Sequence, residues 1–124
     1  MNAVPRQRIL IVDDDPELVS RIRQLLEDEF EVLATGDWAE LNRLVFRQGV
    51  DLVLMDVNLP VLKGTQLVKV IRGQGELKTK IYYYSAEDEA TMARLALETG
   101  ADGYFSKSLR GGALLEKIHG ALRP

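Results

Sequence analysis

The chain has no cysteine and a single histidine, His119, among its 124 residues. Without cysteine there is no disulfide framework, although that absence does not by itself fix the compartment. Zinc and copper centres also lack the sulfur and nitrogen ligands they favour. No apolar run approaches the length of a membrane span. The arginines near the N-terminus are not followed by an apolar core before Ile9, so no signal peptide is expected and cytoplasm is the default compartment. A net charge of -3 provides no electrostatic case for direct nucleic-acid binding. Internal repeats, low-complexity tracts and linkers are missing too. What remains is ordinary: 46% hydrophobic and 28% charged residues, in a length suited to one domain with a real core.

Met1–Gln7 reads as a loose polar leader, and the rest alternates strand and helix patterns. Ile9–Val12 is a continuous β-branched run. Asp15-Pro16-Glu17 then opens a helix with a cap-like aspartate and a first-turn proline, and Leu18, Ile22, Leu25 and Leu26 form its core face. Phe30 to Ala34 predict a second strand. Asp37 caps a second helix carrying Leu41, Leu44 and Val45, with Trp38 in its first turn as core packing or a half-buried anchor. Leu52–Met55 is a short apolar run between Gly49 and Pro60, as expected of a strand buried on both faces. Pro60–Gly64 form a loop and Thr65–Ile71 a third helix, with Gly73 and Gly75 at its end. Lys80–Tyr84, a helix over Asp88–Thr99 closed by Gly100, Gly103–Ser106, and a helix from about Gly112 to Leu122 complete the pattern. Leu115 and Ile118 are assigned to the buried stripe of that last helix, and His119 to its surface. Five βα repeats imply an α/β fold: a doubly wound, five-stranded parallel sheet with helices on both faces.

The chemistry lies where strands end. Asp56 follows Leu52–Met55 at the carboxyl edge, the edge at which open parallel sheets bind ligands. Taken alone it reads equally well as a turn aspartate. Ile9–Val12, however, runs into Asp13-Asp14-Asp15, so adjacent parallel strands would gather Asp13, Asp14 and Asp56 at one edge. Packed carboxylates repel and raise one another's pKa values unless a cation neutralises them. Mg²⁺, a hard ion that takes carboxylates, phosphate oxygens and water, is the natural candidate. Two further strands lead into Ser85-Ala86 and into Lys107. A hydroxyl and an ammonium there could bind the oxygens of a phosphoryl group carried by Asp56 as a mixed anhydride. Individually, Ser85 also reads as a helix N-cap and Lys107 as a solvated loop lysine.

These motifs, Ile-Leu-Ile-Val-Asp-Asp-Asp, Leu-Met-Asp-Val-Asn-Leu-Pro with Gly64, Ser85-Ala86 and Gly-Ala-Asp-Gly-Tyr-Phe-Ser-Lys, strongly resemble the receiver domain of two-component response regulators, the family of the chemotaxis response regulator. The resemblance runs from about Arg8 to Leu122. It implies the flavodoxin-like (βα)5 fold with strand order 2-1-3-4-5, an order taken from the family, which is a standard example of it. It implies Asp56 as phosphoacceptor, Asp13 and Asp14 as the acidic pair for Mg²⁺, and the Asn58 backbone carbonyl as a further metal ligand. Ser85 becomes the switch hydroxyl, Lys107 the phosphate-binding lysine and Tyr104 the switch aromatic. Asn58 and Glu87 occupy the positions that tune hydrolysis, and their identity resembles that of fast-hydrolysing chemotaxis proteins.

The implied mechanism is phosphoryl transfer from the phosphohistidine of a histidine kinase or phosphotransfer protein to Asp56. The outer face of the first helix, with Arg21, Arg23 and Gln24, would help recognise that donor or be merely solvated. Ser85 would move toward the phosphoryl group, Tyr104 would fill the space, and the surface of the fourth helix, fifth strand and fifth helix would change its partner. Whether such a switch counts as an enzyme is partly definition. Departures from the pattern are Ser108 in place of a proline that follows the lysine with a cis bond, Lys63 where an acidic residue is common, and the aromatic run Tyr82-Tyr83-Tyr84. A trans Lys107–Ser108 bond is expected, because a non-proline cis bond costs about 2.5–4 kcal/mol. With Gly111 and Gly112 each weakening a helix by about 1 kcal/mol relative to alanine, a looser loop is expected there. Tyr84 either couples to Tyr104 on the next strand or simply packs. Alternative readings are a receiver cut from a larger regulator with an output domain, a phosphorylation-independent binding module, and a flavin or nucleotide binder. The last is disfavoured because strand one leads into carboxylates rather than a glycine-rich loop.

Overall fold

A computed structural model describes residues 6–59, 63–73 and 78–123. Pro60, Gly75, Met1–Pro5 and the Trp38 side chain, each given a role by the sequence, lie outside the described residues. The elements are β1 (Arg8–Val12), α1 (Pro16–Leu26), β2 (Glu31–Thr35), α2 (Trp38–Gln48), β3 (Leu52–Met55), α3 (Gly64–Gly73), β4 (Lys80–Ser85), α4 (Glu89–Thr99), β5 (Gly103–Ser106) and α5 (Gly111–Leu122). All strands are parallel, in the order β2-β1-β3-β4-β5. This is the flavodoxin-like fold: the alternation predicts the parallel sheet, and the family resemblance implies its strand order.

Capping residues set the helix ends. Asp15, Asp37 and Asp88 are extended N-caps whose carboxylates accept from first-turn amides, satisfying donors that have no partner inside the helix. Gly100 closes α4 at φ 87, a left-handed conformation that costs glycine little. Phe30 does not begin β2, contrary to the sequence reading. Its amide donates to the Leu26 carbonyl at 2.9 Å, finishing the turn that closes α1, and its ring is buried. β2 therefore starts one residue later.

Successive strand residues point to opposite faces, so the sheet has two cores. Leu10, Val12, Val53, Met55, Ile81 and Tyr83 pack with Leu41, Val45, Leu67, Ile71 and Met92 of α2, α3 and α4. Ile9, Ile11, Leu52, Leu54, Tyr84 and Phe105 pack with Leu18, Ile22, Leu26, Leu114 and Ile118 of α1 and α5. The stripe of α5 is Leu114, Ile118 and Ala121, and Leu115 is only half-buried at its margin. This corrects the expected stripe by one residue.

The same alternation separates Tyr84 from Tyr104. In register, Tyr83 faces Tyr104 and Tyr84 faces Phe105, so Tyr84 belongs to the α1/α5 core and Tyr104 packs against the other. No Tyr84–Tyr104 couple forms. Both buried hydroxyls find partners, as burial requires: Tyr83 shares a 2.7 Å bond with Thr99, and Tyr84 donates to the Leu109 carbonyl at 2.8 Å. His119 lies near the C-terminal end of α5, 2.8 Å from Glu29 and away from the acidic edge. The Lys107–Ser108 bond is trans, as expected. Among the described residues no helix is long and apolar enough to cross a membrane.

Candidate functional site

The carboxyl edge of the sheet gathers the site. Val12 and Met55 are in register, so the residues that follow them, Asp13 and Asp56, emerge side by side, and the Asp56 amide donates to the Val12 carbonyl at 3.0 Å. Ser85 is in register with Ser106, and the next residue, Lys107, donates its amide to the Ser85 carbonyl at 2.8 Å. Four strand ends thereby meet at one edge of the sheet.

Asp13 and Asp56 are 7% and 6% exposed, whereas Asp14 is open to solvent. Carboxylate oxygens of Asp13, Asp14 and Asp56 all lie within 4.8 Å of one another. Each buried carboxylate divides its oxygens between a backbone donor and the lysine. Asp13 Oδ1 accepts the Asp15 amide at 2.9 Å, and its Oδ2 is 3.0 Å from Lys107 Nζ. Asp56 Oδ1 accepts the Asn58 amide at 3.2 Å, and its Oδ2 is 3.6 Å from the same ammonium.

Burial pushes the Asp56 carboxyl up from its ordinary value. The Asn58 amide and Lys107 pull it down but do not offset the burial, and Asp13 adds repulsion. Burial works against the Lys107 charge, yet the contacts with Asp13 and Asp56 outweigh it and raise the ammonium overall. The lysine stays charged. One cation facing three carboxylates leaves room for more positive charge, and the donors are all hard oxygens. That set fits a divalent ion such as Mg²⁺ and is wrong for soft metals.

Ser85 is fully buried, and its Oγ accepts the Glu87 amide at 3.3 Å. This is a local turn bond: the N-cap of α4 is Asp88, so the capping alternative for Ser85 is not realised. Asn58 and Glu87 meet through their side chains, where Asn58 Nδ2 donates to Glu87 Oε1 at 3.0 Å. Tyr104 is half-buried on β5 against the α2/α3/α4 core, outside the acidic cluster.

One residue has a structural part that no local pattern in the sequence signals. A Cβ on Gly64 would lie 1.9 Å from the Asp56 carbonyl oxygen, so α3 approaches the Asp56 backbone only because residue 64 is glycine. The Gly64 amide donates to the Val57 carbonyl at 3.0 Å, which fixes that approach.

The response regulator receiver domain profile matches residues 9–119. The chain belongs to that family. As a receiver domain it is a phosphorylation-dependent switch of two-component signalling. It is 34% identical over 119 residues to the DNA-binding response regulator MtrA of Mycolicibacterium smegmatis, covering 95% of this chain and 51% of that protein. It is 34% identical over 117 residues to the transcriptional regulatory protein CpxR of Escherichia coli, covering 94% of this chain and 49% of that protein. The receiver thus spans about half the length of these curated relatives. Among solved structures it resembles chemotaxis response regulator CheY4 of Vibrio cholerae, at TM-score 0.85 and 27% identity over 94% of this chain and 99% of that one. It also resembles the beryllofluoride-activated N-terminal receiver domain of Klebsiella pneumoniae RstA, at TM-score 0.83 and 29% identity over 95% and 100% of the two chains.

Proposed function

We propose that Asp56 accepts a phosphoryl group from the phosphohistidine of a histidine kinase or phosphotransfer protein, in a single receiver domain spanning residues 1–124, and that the compartment is the cytoplasm. The observation that carries this reading is Lys107 Nζ lying 3.0 Å from Asp13 and 3.6 Å from Asp56. An ammonium held there is poised to exchange part of its carboxylate contact for a phosphoryl oxygen.

Asp13, Asp14 and Asp56, with the Asn58 carbonyl, would hold Mg²⁺. When bound, the ion supplies the positive charge that offsets repulsion between the carboxylates and the incoming phosphoryl oxygens. An Asp56 oxygen forms the bond to phosphorus while the donor's N–P bond breaks, and the imidazole leaves with that bond's electron pair. Lys107 then binds one phosphoryl oxygen. The Ser85 hydroxyl, whose oxygen accepts the Glu87 amide, keeps its proton to donate to another. Drawing Ser85 inward vacates space beside β5 for Tyr104, and the α4-β5-α5 surface changes its affinity for a downstream protein or an output domain. The curated relatives extend well beyond the matched region, which supports an output domain as one such partner.

Incubation with acetyl phosphate or beryllofluoride, with and without Mg²⁺, tests this reading against Asp56→Asn. The wild-type chain should be modified only with metal, and the variant not at all. Equal modification of the variant would remove Asp56 from the role. Metal-independent modification would remove Asp13 and Asp14 from theirs.

A further inference from the structure

Lys107 stands on a short loop between β5 and α5, and its ammonium must sit where both carboxylates can reach it. The amino side of that loop is held by β4, through the Lys107 amide bonded to the Ser85 carbonyl at 2.8 Å. Its carboxyl side has no comparable help from α5. Arg110, the N-cap of that helix, makes no side-chain capping bond, and the helix begins with Gly111 and Gly112. Within the loop, Leu109 N–H returns to the Ser106 carbonyl at 2.9 Å, and the Ser106 and Ser108 hydroxyls share a 2.8 Å bond. These bonds tie the loop back to Ser106 at the end of β5, and none of them attaches its carboxyl side to β4.

Tyr84 makes that attachment. It is 2% exposed, precedes Ser85 on β4, and sends its hydroxyl across the α1/α5 core to the Leu109 carbonyl at 2.8 Å. Arg21 of α1 also faces this hydroxyl. The Leu109 carbonyl can only accept, so the hydroxyl proton of Tyr84 goes to it. Tyr84 and Ser85, consecutive residues of one buried strand, thereby hold both ends of the segment that carries Lys107.

We propose that the Tyr84 hydroxyl is a positioning residue for Lys107, anchoring the 107–109 loop to β4 so that the ammonium stays between Asp13 and Asp56. The proposal rests on the reading of Lys107 as the phosphoryl-binding group, but the anchoring can be measured without it. Tyr84→Phe keeps the ring and its packing and removes only the hydroxyl. Losing one buried hydrogen bond should raise amide hydrogen exchange at Lys107 and Leu109 by about tenfold. Amides of β1 and β3 should stay as protected as before. Half-saturation by beryllofluoride should rise about as much, while Mg²⁺ affinity, set by the carboxylates, stays unchanged. Unchanged exchange at Lys107 and Leu109 would overturn the proposal, as would a uniform rise across the whole sheet, the mark of general destabilisation. Asp56→Asn with Tyr84 intact is the separating control. If that variant binds beryllofluoride as the wild type does, the phosphoacceptor reading fails, and the exchange measurement still decides the anchor.

Discussion

Asn58 and Glu87 are joined by a 3.0 Å side-chain hydrogen bond that ties the loop after β3 to the loop after β4. Asp56 lies two residues before the one and Ser85 two residues before the other, and the bridged pair occupies the positions proposed to tune the attack of water on a phosphoryl group at Asp56.

Because Asn58 and Glu87 resemble the pair of fast-hydrolysing chemotaxis proteins, the phosphorylated state is expected to be short-lived. Single-turnover decay of the purified phosphoprotein measures it, and persistence over many hours would contradict the expectation. Because the two side chains act through one bond, Asn58→Ala and Glu87→Ala should be non-additive in a double-mutant cycle. Strict additivity in the decay rate would mean that each acts alone.

Gly64→Ala should harm both stability and the site. Its Cβ would meet the Asp56 carbonyl at 1.9 Å, a backbone atom that cannot rotate away. A forced shift of this kind costs about 1–3 kcal/mol, and it displaces the carboxylate proposed to accept the phosphoryl group. Gly120→Ala is the control: it lies in α5 with no atom within 4 Å of the added Cβ, and should stabilise by about 0.5–1 kcal/mol. Denaturant unfolding distinguishes the two. A Gly64→Ala protein as stable as the wild type would disprove the close packing of α3 on the Asp56 backbone.

Asp56→Asn should stabilise the metal-free protein at neutral pH. Burial raises the folded-state pKa of Asp56 above its ordinary value of 3.8. Between the unfolded and the raised folded value the native state binds more protons, so the ionisation of Asp56 costs stability as pH rises through that window. Below the unfolded value the wild-type penalty, and with it the advantage of asparagine, should disappear. Mg²⁺ at a hundredfold its dissociation constant should add about 2.7 kcal/mol to the wild type and much less to the variant. Thermal melts at several pH values, with and without Mg²⁺, decide this. An Asp56→Asn protein less stable at pH 7 without metal would mean that the ion pair with Lys107 outweighs burial.

The order of elements and the chemical character of the site are legible in the chain itself. Short apolar runs ending in Asp13, Asp56, Ser85 and Lys107 identify strands and the edge they share, because hydrophobic patterning and capping are local properties. Asp15, Asp37 and Asp88 mark helix starts for the same reason, since a carboxylate caps the amides two or three residues ahead. Where local signals compete, the boundary moves: Phe30 has a strand-like side chain, but its amide closes α1.

Other features depend on contacts between distant residues and had to await the folded chain. Tyr84 and Tyr104 go to opposite faces because the register of β4 against β5 pairs Tyr83 with Tyr104, and a single step along a strand reverses the face. Nothing near Gly64 in sequence announces that the Asp56 carbonyl sits where its Cβ would go, and nothing near Tyr84 announces the Leu109 carbonyl. The chain alone determines which groups arrive at the carboxyl edge, through short-range periodicity and termination. Their separations, their burial and the direction in which the Asp56 carboxyl shifts are set only when parallel strands from distant parts of the sequence close against one another and exclude water.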